Sequence, residues 1–149
     1  MRYLVDTSVL ARLANAEDAQ HPLASSAIER LYGSGAILQV TGQVLVEFRN
    51  AATRPREVNG LGLAIEEVSA KSAKFEAMFP LLEETPAIFP AWKALVGQAG
   101  VIGKQVHDAR LVAVCHAHGV THLLTFNSAH FARLAGFGPG LVVVHPADA

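Results

Sequence analysis

The sequence predicts an α/β domain built on a mostly parallel sheet of four to five strands. Short apolar runs alternate along the chain with longer segments of helical periodicity, which is typical of parallel strands connected by helices. The 149 residues are 51% hydrophobic and 17% charged, a composition that excludes an intrinsically disordered chain. The length fits a single domain, which we expect to span residues 1–149.

The first half of the chain predicts two strands and four helices. The strands are runs of β-branched, aliphatic and aromatic residues, and the helices carry apolar residues three or four positions apart. Asp6 and Thr41 can cap the helices that follow the two strands, and Pro55 ends the second of these helices. In chain order the segments are strand 2–5, helix 9–14, a helix that begins at His21 and is ended by residues 33–35, strand 36–40, a helix from Thr41 to about Thr53, and helix 61–79.

The second half predicts three helical segments and up to three strands. Pro86 begins a helix whose apolar face includes Phe89 and Trp92, and Gly119 ends the next helix. The segment 97–103 contains three glycines and predicts a loop. In chain order the segments are a short strand 80–82, helix 86–99, the loop, helix 106–118, strand 122–125, a helical turn 129–134 and strand 141–144.

Charge and cysteine content exclude several classes of protein. The 12 basic and 13 acidic residues give a net charge of −1, which excludes a strongly basic DNA-coating protein but not a local basic rim. The single cysteine, Cys115, excludes an internal disulfide and a multi-cysteine zinc site, and it favours the cytoplasm. Cys115 lies in an apolar run and is interpreted as a buried residue. No run of about 18 apolar residues predicts a membrane span.

Two acidic residues lie on helix faces that should be buried. Leu111, Val112 and Cys115 follow Asp108 at three, four and seven positions, which puts the Asp108 carboxylate at the end of an apolar stripe. Glu47 lies mid-helix at the border of an apolar face, where the helix dipole stabilises it little. The alternatives are dipole stabilisation for Asp108 and an edge glutamate that reaches solvent for Glu47.

Polar residues also follow two of the predicted strands. Asp6 comes after the first strand and Asn127 after strand 122–125, and ligands bind beyond the carboxyl ends of parallel strands. Together with Glu47 and Asp108, these groups can converge on one crevice. A divalent cation would remove the mutual repulsion of three carboxylates, and oxygen donors favour Mg²⁺ or Mn²⁺ over zinc. Turn or cap chemistry is the alternative for each residue by itself.

Four sequence blocks, in order and spacing, carry a family resemblance. They are Tyr3 to Leu10, Gln43 to Pro55, His107 to Leu111 and Leu123 to Asn127, followed by His130-Phe131 and the run from Val142 to Pro146. Together they resemble PIN-domain ribonucleases of the VapC type, the toxins of type II toxin–antitoxin modules. The resemblance spans almost the whole chain. It implies a three-layer α/β/α fold with an acidic pocket at the carboxyl edge of the sheet.

The resemblance also implies a role for each acidic position. Asp6, Glu47 and Asp108 match the three acids of the family's metal site. The family's fourth acidic position, usually Asp, is Asn127 in this chain. His130 stands where many relatives carry an Asp. Both departures affect the capacity to bind a second metal ion.

The implied reaction is Mg²⁺-dependent hydrolysis of RNA phosphodiester bonds, with Mn²⁺ as an alternative ion. Asp6 and Asp108 would hold the ion, Glu47 would bind it or one of its waters, and Asn127 would orient a water or a phosphate oxygen. Two hydroxyl side chains would hydrogen-bond the ligating carboxylates, namely Thr7 and Ser8. The RNA would need a cationic rim, and the candidates are Arg12, Arg49, Arg54 and Arg110, with Arg56 and Lys104.

Two protein partners are implied as well: a cognate antitoxin and a second copy of the chain in a homodimer. The segments 61–79 and 86–99 carry wide apolar stripes, of which some surface should face another chain. The aromatic and methionine residues of these stripes are Phe75, Met78, Phe79, Phe89 and Trp92. A wholly intramolecular core is the alternative for the stripes.

Two other functions are compatible with an aspartate-rich pocket. A phosphohydrolase of the haloacid-dehalogenase type needs a second Asp two residues after the first, where this chain has Ser8. A non-catalytic PIN-like interaction module would have lost its acids, whereas Asp6, Glu47 and Asp108 are all present. Metal binding measured by calorimetry separates an active nuclease from the inactive module.

Overall fold

The computed structural model describes residues 1–149 as a five-stranded sheet flanked by seven α-helices. The strands are β1 (Arg2–Val5), β2 (Ile37–Thr41), β3 (Leu81–Leu82), β4 (His122–Leu124) and β5 (Val142–Val144). The helices are α1 (Thr7–Leu13), α2 (His21–Gly33), α3 (Gly42–Thr53), α4 (Ile65–Met78), α5 (Ile88–Ala99), α6 (Gln105–His118) and α7 (Ser128–Ala135).

The sheet has the strand order β3-β2-β1-β4-β5, and every neighbouring pair is parallel. Strand β1 therefore lies at the centre, with Tyr3 opposite Leu38 on one side and His122 on the other. The chain first builds outward from β1 through β2 and β3, then crosses to the other side to form β4 and β5. This reversal creates a crevice at the carboxyl ends of β1 and β4, the usual place for a ligand in such a sheet.

The helices form two groups. In the first group α1 contacts α2 and α3, and α3 contacts α4; in the second group α6 contacts α5 and α7. Because parallel crossovers are right-handed, the two groups cover opposite faces of the sheet. The predicted α/β class with a parallel sheet is confirmed. None of the helices combines the length and the apolar character that crossing a bilayer requires.

The core is one contiguous cluster that includes the central strands and the apolar face of α6. Leu4, Leu123 and Val112 are fully buried within it. Cys115 is a free, buried cysteine, as interpreted from the sequence, and burial raises the pKa of its thiol to about 12. A thiol with such a pKa stays protonated at neutral pH and is a poor nucleophile.

The predicted helix 61–79 begins later than the pattern indicates. The backbone N–H groups of Leu61 and Leu63 donate to the carbonyl oxygens of Ala51 and Ala52 on α3, over 3.0 and 2.9 Å. Residues 61–64 therefore lie along α3, and helical structure begins only at Ile65. The apolar spacing of this segment reflects long-range packing against α3 rather than a helical turn.

The loop predicted over 97–103 is wrong for its first three residues. Helix α5 continues to Ala99 because Leu95 and Ala99 are buried one turn apart on the same face. The helix ends at Gly100, whose φ of 61° lies in the left-handed region that favours glycine. At the other end of the chain, α1 begins two residues earlier than predicted because Asp6 caps it.

Candidate functional site

A cleft of about 380 Å³ opens beyond the carboxyl ends of β1 and β4. Its wall includes Asp6, Glu47, Asp108 and Asn127. Each of these residues comes from a different part of the fold: the end of β1, the middle of α3, the first turn of α6 and the residue before α7. The structure thus brings together the four polar residues that the sequence singled out.

Asp6 is anchored at one carboxylate oxygen. The side chain is only 5% exposed, and Oδ2 accepts hydrogen bonds from Ser8 Oγ at 2.8 Å and from Thr125 Oγ1 at 2.7 Å. The Ser8 N–H also donates to Oδ2, at 3.4 Å, which caps α1. Since all of these donors meet Oδ2, Oδ1 is the oxygen left for a ligand in the cleft.

The hydroxyl groups of Ser8 and Thr125 also connect the residues that follow β4 to the start of α1. The N–H of Phe126 donates to Ser8 Oγ at 3.0 Å, and the N–H of Asn127 donates to Thr125 Oγ1 at 2.9 Å. Thr125 was not among the residues predicted for the site. Its place after a predicted strand, at the same sheet edge as Asp6, is the signal that could have found it.

Glu47 is half-buried and is held at both oxygens. Thr7 Oγ1 donates to Oε2 at 3.0 Å, and Gln43 Nε2 donates to Oε1 at 3.0 Å. Gln43 was not predicted either, although its place four residues before Glu47 puts both side chains on one helix face. The two bonds approach the carboxylate from opposite oxygens, so they restrict its rotation.

Asp108 is half-buried in the first turn of α6, and its carboxylate has no hydrogen-bond partner in the protein. Burial raises the pKa of Asp108, and the negative charges of Asp6 and then Glu47 raise it further. His130 and His107 act in the opposite direction. The carboxylate therefore lies in a negative environment that a bound cation would relieve.

Asn127 occupies the N-cap position of α7 without capping it. Its side chain makes no hydrogen bond to the helix, and the residue is exposed where it lines the cleft. The amide is therefore available to both acceptor and donor groups of a ligand. It adds no charge to the three carboxylates.

The donor chemistry of the cleft fits a hard divalent cation. Asp6 Oδ1 and the Asp108 carboxylate are oxygen donors without protein partners, and Glu47 lies in the same cleft. No three His, Cys, Asp or Glu side chains converge closely enough to form a ready-made chelating group. Mg²⁺ retains several waters and takes one or two carboxylates directly, so it suits such an open arrangement better than zinc does.

Two of the predicted basic residues line the cleft. Arg12 lies 4.6 Å above the Phe126 ring and donates to the Ser8 carbonyl oxygen at 3.0 Å. Arg54 donates from Nη2 to the Asn59 carbonyl oxygen at 2.9 Å, while its buried Nε has no partner. The sequence did not indicate two other polar residues of the wall, namely Asp18 and Asn59.

The other four basic candidates do not line the cleft. Arg49 faces a groove between α3 and α4, where it donates to Ser69 Oγ. Arg110 pairs with Glu84, with 2.6 Å between Nη2 and Oε2. Arg56 and Lys104 lie in the exposed segments before α4 and α6. Proximity in sequence to the acids therefore did not predict proximity to the cleft.

Comparison with solved structures finds the same fold in toxin–antitoxin proteins. VapBC2 of Rickettsia felis, bound to a DNA fragment from its promoter, matches with a TM-score of 0.70 at 17% identity over 97% of this chain and 98% of that one. VapC20 of Mycobacterium tuberculosis, a toxin that cleaves the sarcin–ricin loop, matches with a TM-score of 0.60 at 24% identity over 91% and 96%. VapBC-1 of nontypeable Haemophilus influenzae gives 0.68 at 15% identity over 98% of both.

Sequence comparisons locate the family. No curated protein matches the sequence significantly. A family model described as the PIN domain matches residues 3–137. This range includes β2, β3, β4 and all but the first residue of β1, and it includes all four polar residues of the cleft. The chain therefore belongs to the PIN-domain family.

Proposed function

We propose that this protein is a Mg²⁺-dependent endoribonuclease and the toxin of a toxin–antitoxin pair. The observation that carries the proposal is the cleft in which Asp6, Glu47 and Asp108 lie together, with carboxylate oxygens of Asp6 and Asp108 left unpartnered. Membership of the PIN family supports a nuclease. The fold likeness to VapC20, described as an RNA-cleaving toxin, and to VapBC complexes supports the finer assignment.

Asp6 and Asp108 would hold Mg²⁺, or Mn²⁺, and Glu47 would bind the ion or one of its waters. The bound ion would polarise a phosphoryl oxygen and supply a water of lowered pKa. Ser8 keeps Asp6 Oδ2 occupied, which directs Oδ1 to the cleft. The Asn127 amide would donate to a phosphate oxygen or orient a water.

Arg12 and Arg54 would bind the phosphates that flank the reacting one. Arg12 already stacks on Phe126, so its guanidinium is held in place at the wall of the cleft. Arg54 Nε is buried and has no hydrogen-bond partner. A phosphate that approaches the guanidinium would compensate the positive charge of Arg54. These contacts are electrostatic, so RNA binding should weaken as the salt concentration rises.

Cleavage of RNA should require added Mg²⁺ or Mn²⁺, stop in EDTA and return when the metal is restored. The assay uses labelled single-stranded and stem-loop RNA oligonucleotides, with DNA of the same sequences and a small phosphomonoester as controls. Calorimetry measures metal binding in parallel. Cleavage in EDTA would contradict the metal requirement, and equal cleavage of DNA would contradict the substrate class. A chain that neither binds metal nor cleaves RNA would be the inactive interaction module.

We also propose a homodimer that uses the exposed face of α5. Phe75 and Phe79 of the predicted apolar stripes are buried in the protein's own core, so they cannot serve an interface. Phe89 is 64% exposed and stacks on Trp92, with ring centres 5.7 Å apart. Met78 on α4 is also exposed. Trp92 is half-buried, so Phe89 is the exposed member of the pair, and exposed aromatic residues are enriched at protein interfaces.

Phe89→Asp should dissociate the dimer, because the substitution puts a charge into an apolar interface. Loss of an aromatic anchor costs about 2 kcal/mol or more, which is roughly a 30-fold rise in the dimer Kd. Light scattering and sedimentation measure the mass. Ala94→Asp, which adds the same charge at another exposed position of α5, is the control and should leave the dimer intact. A wild-type chain that stays monomeric at high micromolar concentration would contradict the dimer.

A further inference from the structure

Gln43 connects Glu47 to residues outside the cleft. Its Nε2 donates to Glu47 Oε1 at 3.0 Å and also to the His107 carbonyl oxygen, at 2.9 Å, on α6. Its Oε1 accepts a hydrogen bond from Arg110 Nη1 at 3.1 Å. One amide thus joins the middle of α3 to the first turns of α6, which carry Asp108.

The chemistry of these partners permits one orientation of the amide. A guanidinium can only donate hydrogen bonds, so Arg110 requires the oxygen of Gln43. A carboxylate and a carbonyl oxygen can only accept, so Glu47 and His107 require the NH₂ group. If the amide turned over, all three contacts would become repulsive. The hydrogen bond from Arg110 therefore stabilises the orientation in which Gln43 donates to Glu47.

Arg110 is itself held in place by Glu84. Nη2 lies 2.6 Å from Glu84 Oε2, and Nη1 lies 3.4 Å from Oε1, a two-pronged ion pair. The ion pair with Glu84 occupies N–H groups of the guanidinium that an RNA phosphate would otherwise bind. Arg110 also lies outside the cleft that holds Asp6, Glu47 and Asp108. The contacts therefore favour a role in positioning over a role in binding RNA.

We propose that Gln43 and Arg110 are positioning residues that hold the Glu47 carboxylate ready for the divalent ion of the cleft. The inference rests on the proposed function, because it assigns these residues to the same metal site. A glutamate side chain has several rotatable bonds, and fixing it before the ion arrives lowers the entropy lost on binding. Thr7 holds the other oxygen of Glu47, so removing Gln43 leaves the carboxylate held on one side only.

The test is Mg²⁺ affinity measured by calorimetry, together with the Mg²⁺ concentration that gives half-maximal RNA cleavage. Gln43→Met keeps the size of the side chain and removes its hydrogen bonds, so we expect Mg²⁺ binding to weaken about tenfold, as for other residues that orient a metal ligand. Arg110→Met should weaken Mg²⁺ binding by a smaller factor, because Gln43 can still donate to Glu47. Arg110→Lys keeps a donor and should restore part of the loss.

RNA binding in EDTA distinguishes positioning from substrate contact. For both methionine variants the affinity for a labelled RNA and its salt dependence should stay at the wild-type values. Lys71→Met removes a cation that pairs with Glu67 on α4 and shares no hydrogen bond with Gln43 or Arg110, so it should change neither metal nor RNA binding. Thermal unfolding verifies that each variant folds. Should Gln43→Met fail to fold, the comparison of Arg110→Met with Arg110→Lys still decides.

The outcomes separate this inference from the proposed function. Wild-type Mg²⁺ affinity in folded Gln43→Met and Arg110→Met would overturn the positioning role and leave the proposed function intact. Weaker RNA binding by Arg110→Met, with a salt slope reduced by about one and unchanged Mg²⁺ affinity, would make Arg110 an RNA contact instead. A wild-type protein that binds no Mg²⁺ would overturn both proposals.

Discussion

Asp108→Asn is expected to abolish RNA cleavage while the protein keeps its fold. The substitution removes one of the two carboxylates proposed to hold Mg²⁺, and Asp108 makes no hydrogen bond whose loss would disturb α6. A catalytic metal contributes several kcal/mol to stabilising the charge of the transition state. Each 1.4 kcal/mol corresponds to about a tenfold change in rate, so the loss should reach about a thousandfold or more.

The same substitution should stabilise the metal-free protein. Burial, followed by the charge of Asp6, raises the pKa of Asp108, so the folded chain binds this proton more tightly than the unfolded chain. The ionised carboxylate therefore lowers the free energy of unfolding at neutral pH, and asparagine removes that cost. The stability difference should be present at pH 7, shrink as the pH falls through the raised pKa, and vanish below the ordinary aspartate pKa of about 3.9.

Thermal unfolding with and without Mg²⁺, combined with a cleavage assay, measures both effects. Without metal, Asp108→Asn should have the higher Tm. Added Mg²⁺ should raise the Tm of the wild type and leave the variant nearly unchanged, because only the wild type binds the ion tightly. Asp148→Asn, an identical substitution at an exposed position near the C-terminus, is the control and should match the wild type throughout. Full cleavage by Asp108→Asn at equal metal concentration would contradict the assignment.

The sequence predicted the sheet well because each strand is a local signal. Runs such as Leu4-Val5 and Leu123-Leu124 are apolar on both faces, as strands buried between two helical layers must be. The start of α4 could not be predicted in the same way. The backbone N–H of Leu61 donates a hydrogen bond to the Ala51 carbonyl oxygen on α3, and the local sequence pattern does not predict that contact.

The candidate site was predictable where one rule of topology applied. Asp6 and Asn127 follow parallel strands, and such strand ends meet at one edge of the sheet. The basic residues follow no such rule. Arg49 lies on α3, and Arg54, five positions later, follows the last residue of the same helix. Arg54 nevertheless lines the cleft, whereas Arg49 faces α4. The position of a long arginine side chain depends on its hydrogen-bond partners, and these partners belong to other segments of the chain.

An antitoxin that inhibits by filling the cleft should bind less tightly as Mg²⁺ rises. The cleft holds Asp6, Glu47 and Asp108, and a guanidinium matches carboxylates through its planar pair of donors. We therefore propose that a basic side chain of the antitoxin enters the cleft and displaces the ion. Ligands that compete for one site must lower each other's affinity, as linkage requires. Apolar contacts outside the cleft do not depend on the metal, so the competition should be partial.

Mass action sets the upper limit of this effect. At a Mg²⁺ concentration of about ten times its Kd, strict competition would weaken antitoxin binding roughly tenfold, and partial competition by less. The measurement is antitoxin affinity as a function of Mg²⁺ at constant ionic strength. Asp108→Asn is the matched control: its antitoxin affinity should not respond to Mg²⁺, because the ion no longer binds tightly. Wild-type affinity that is independent of Mg²⁺, while calorimetry shows the ion bound, would rule out occupation of the cleft. Inhibition would then act by covering the Arg12 and Arg54 rim alone.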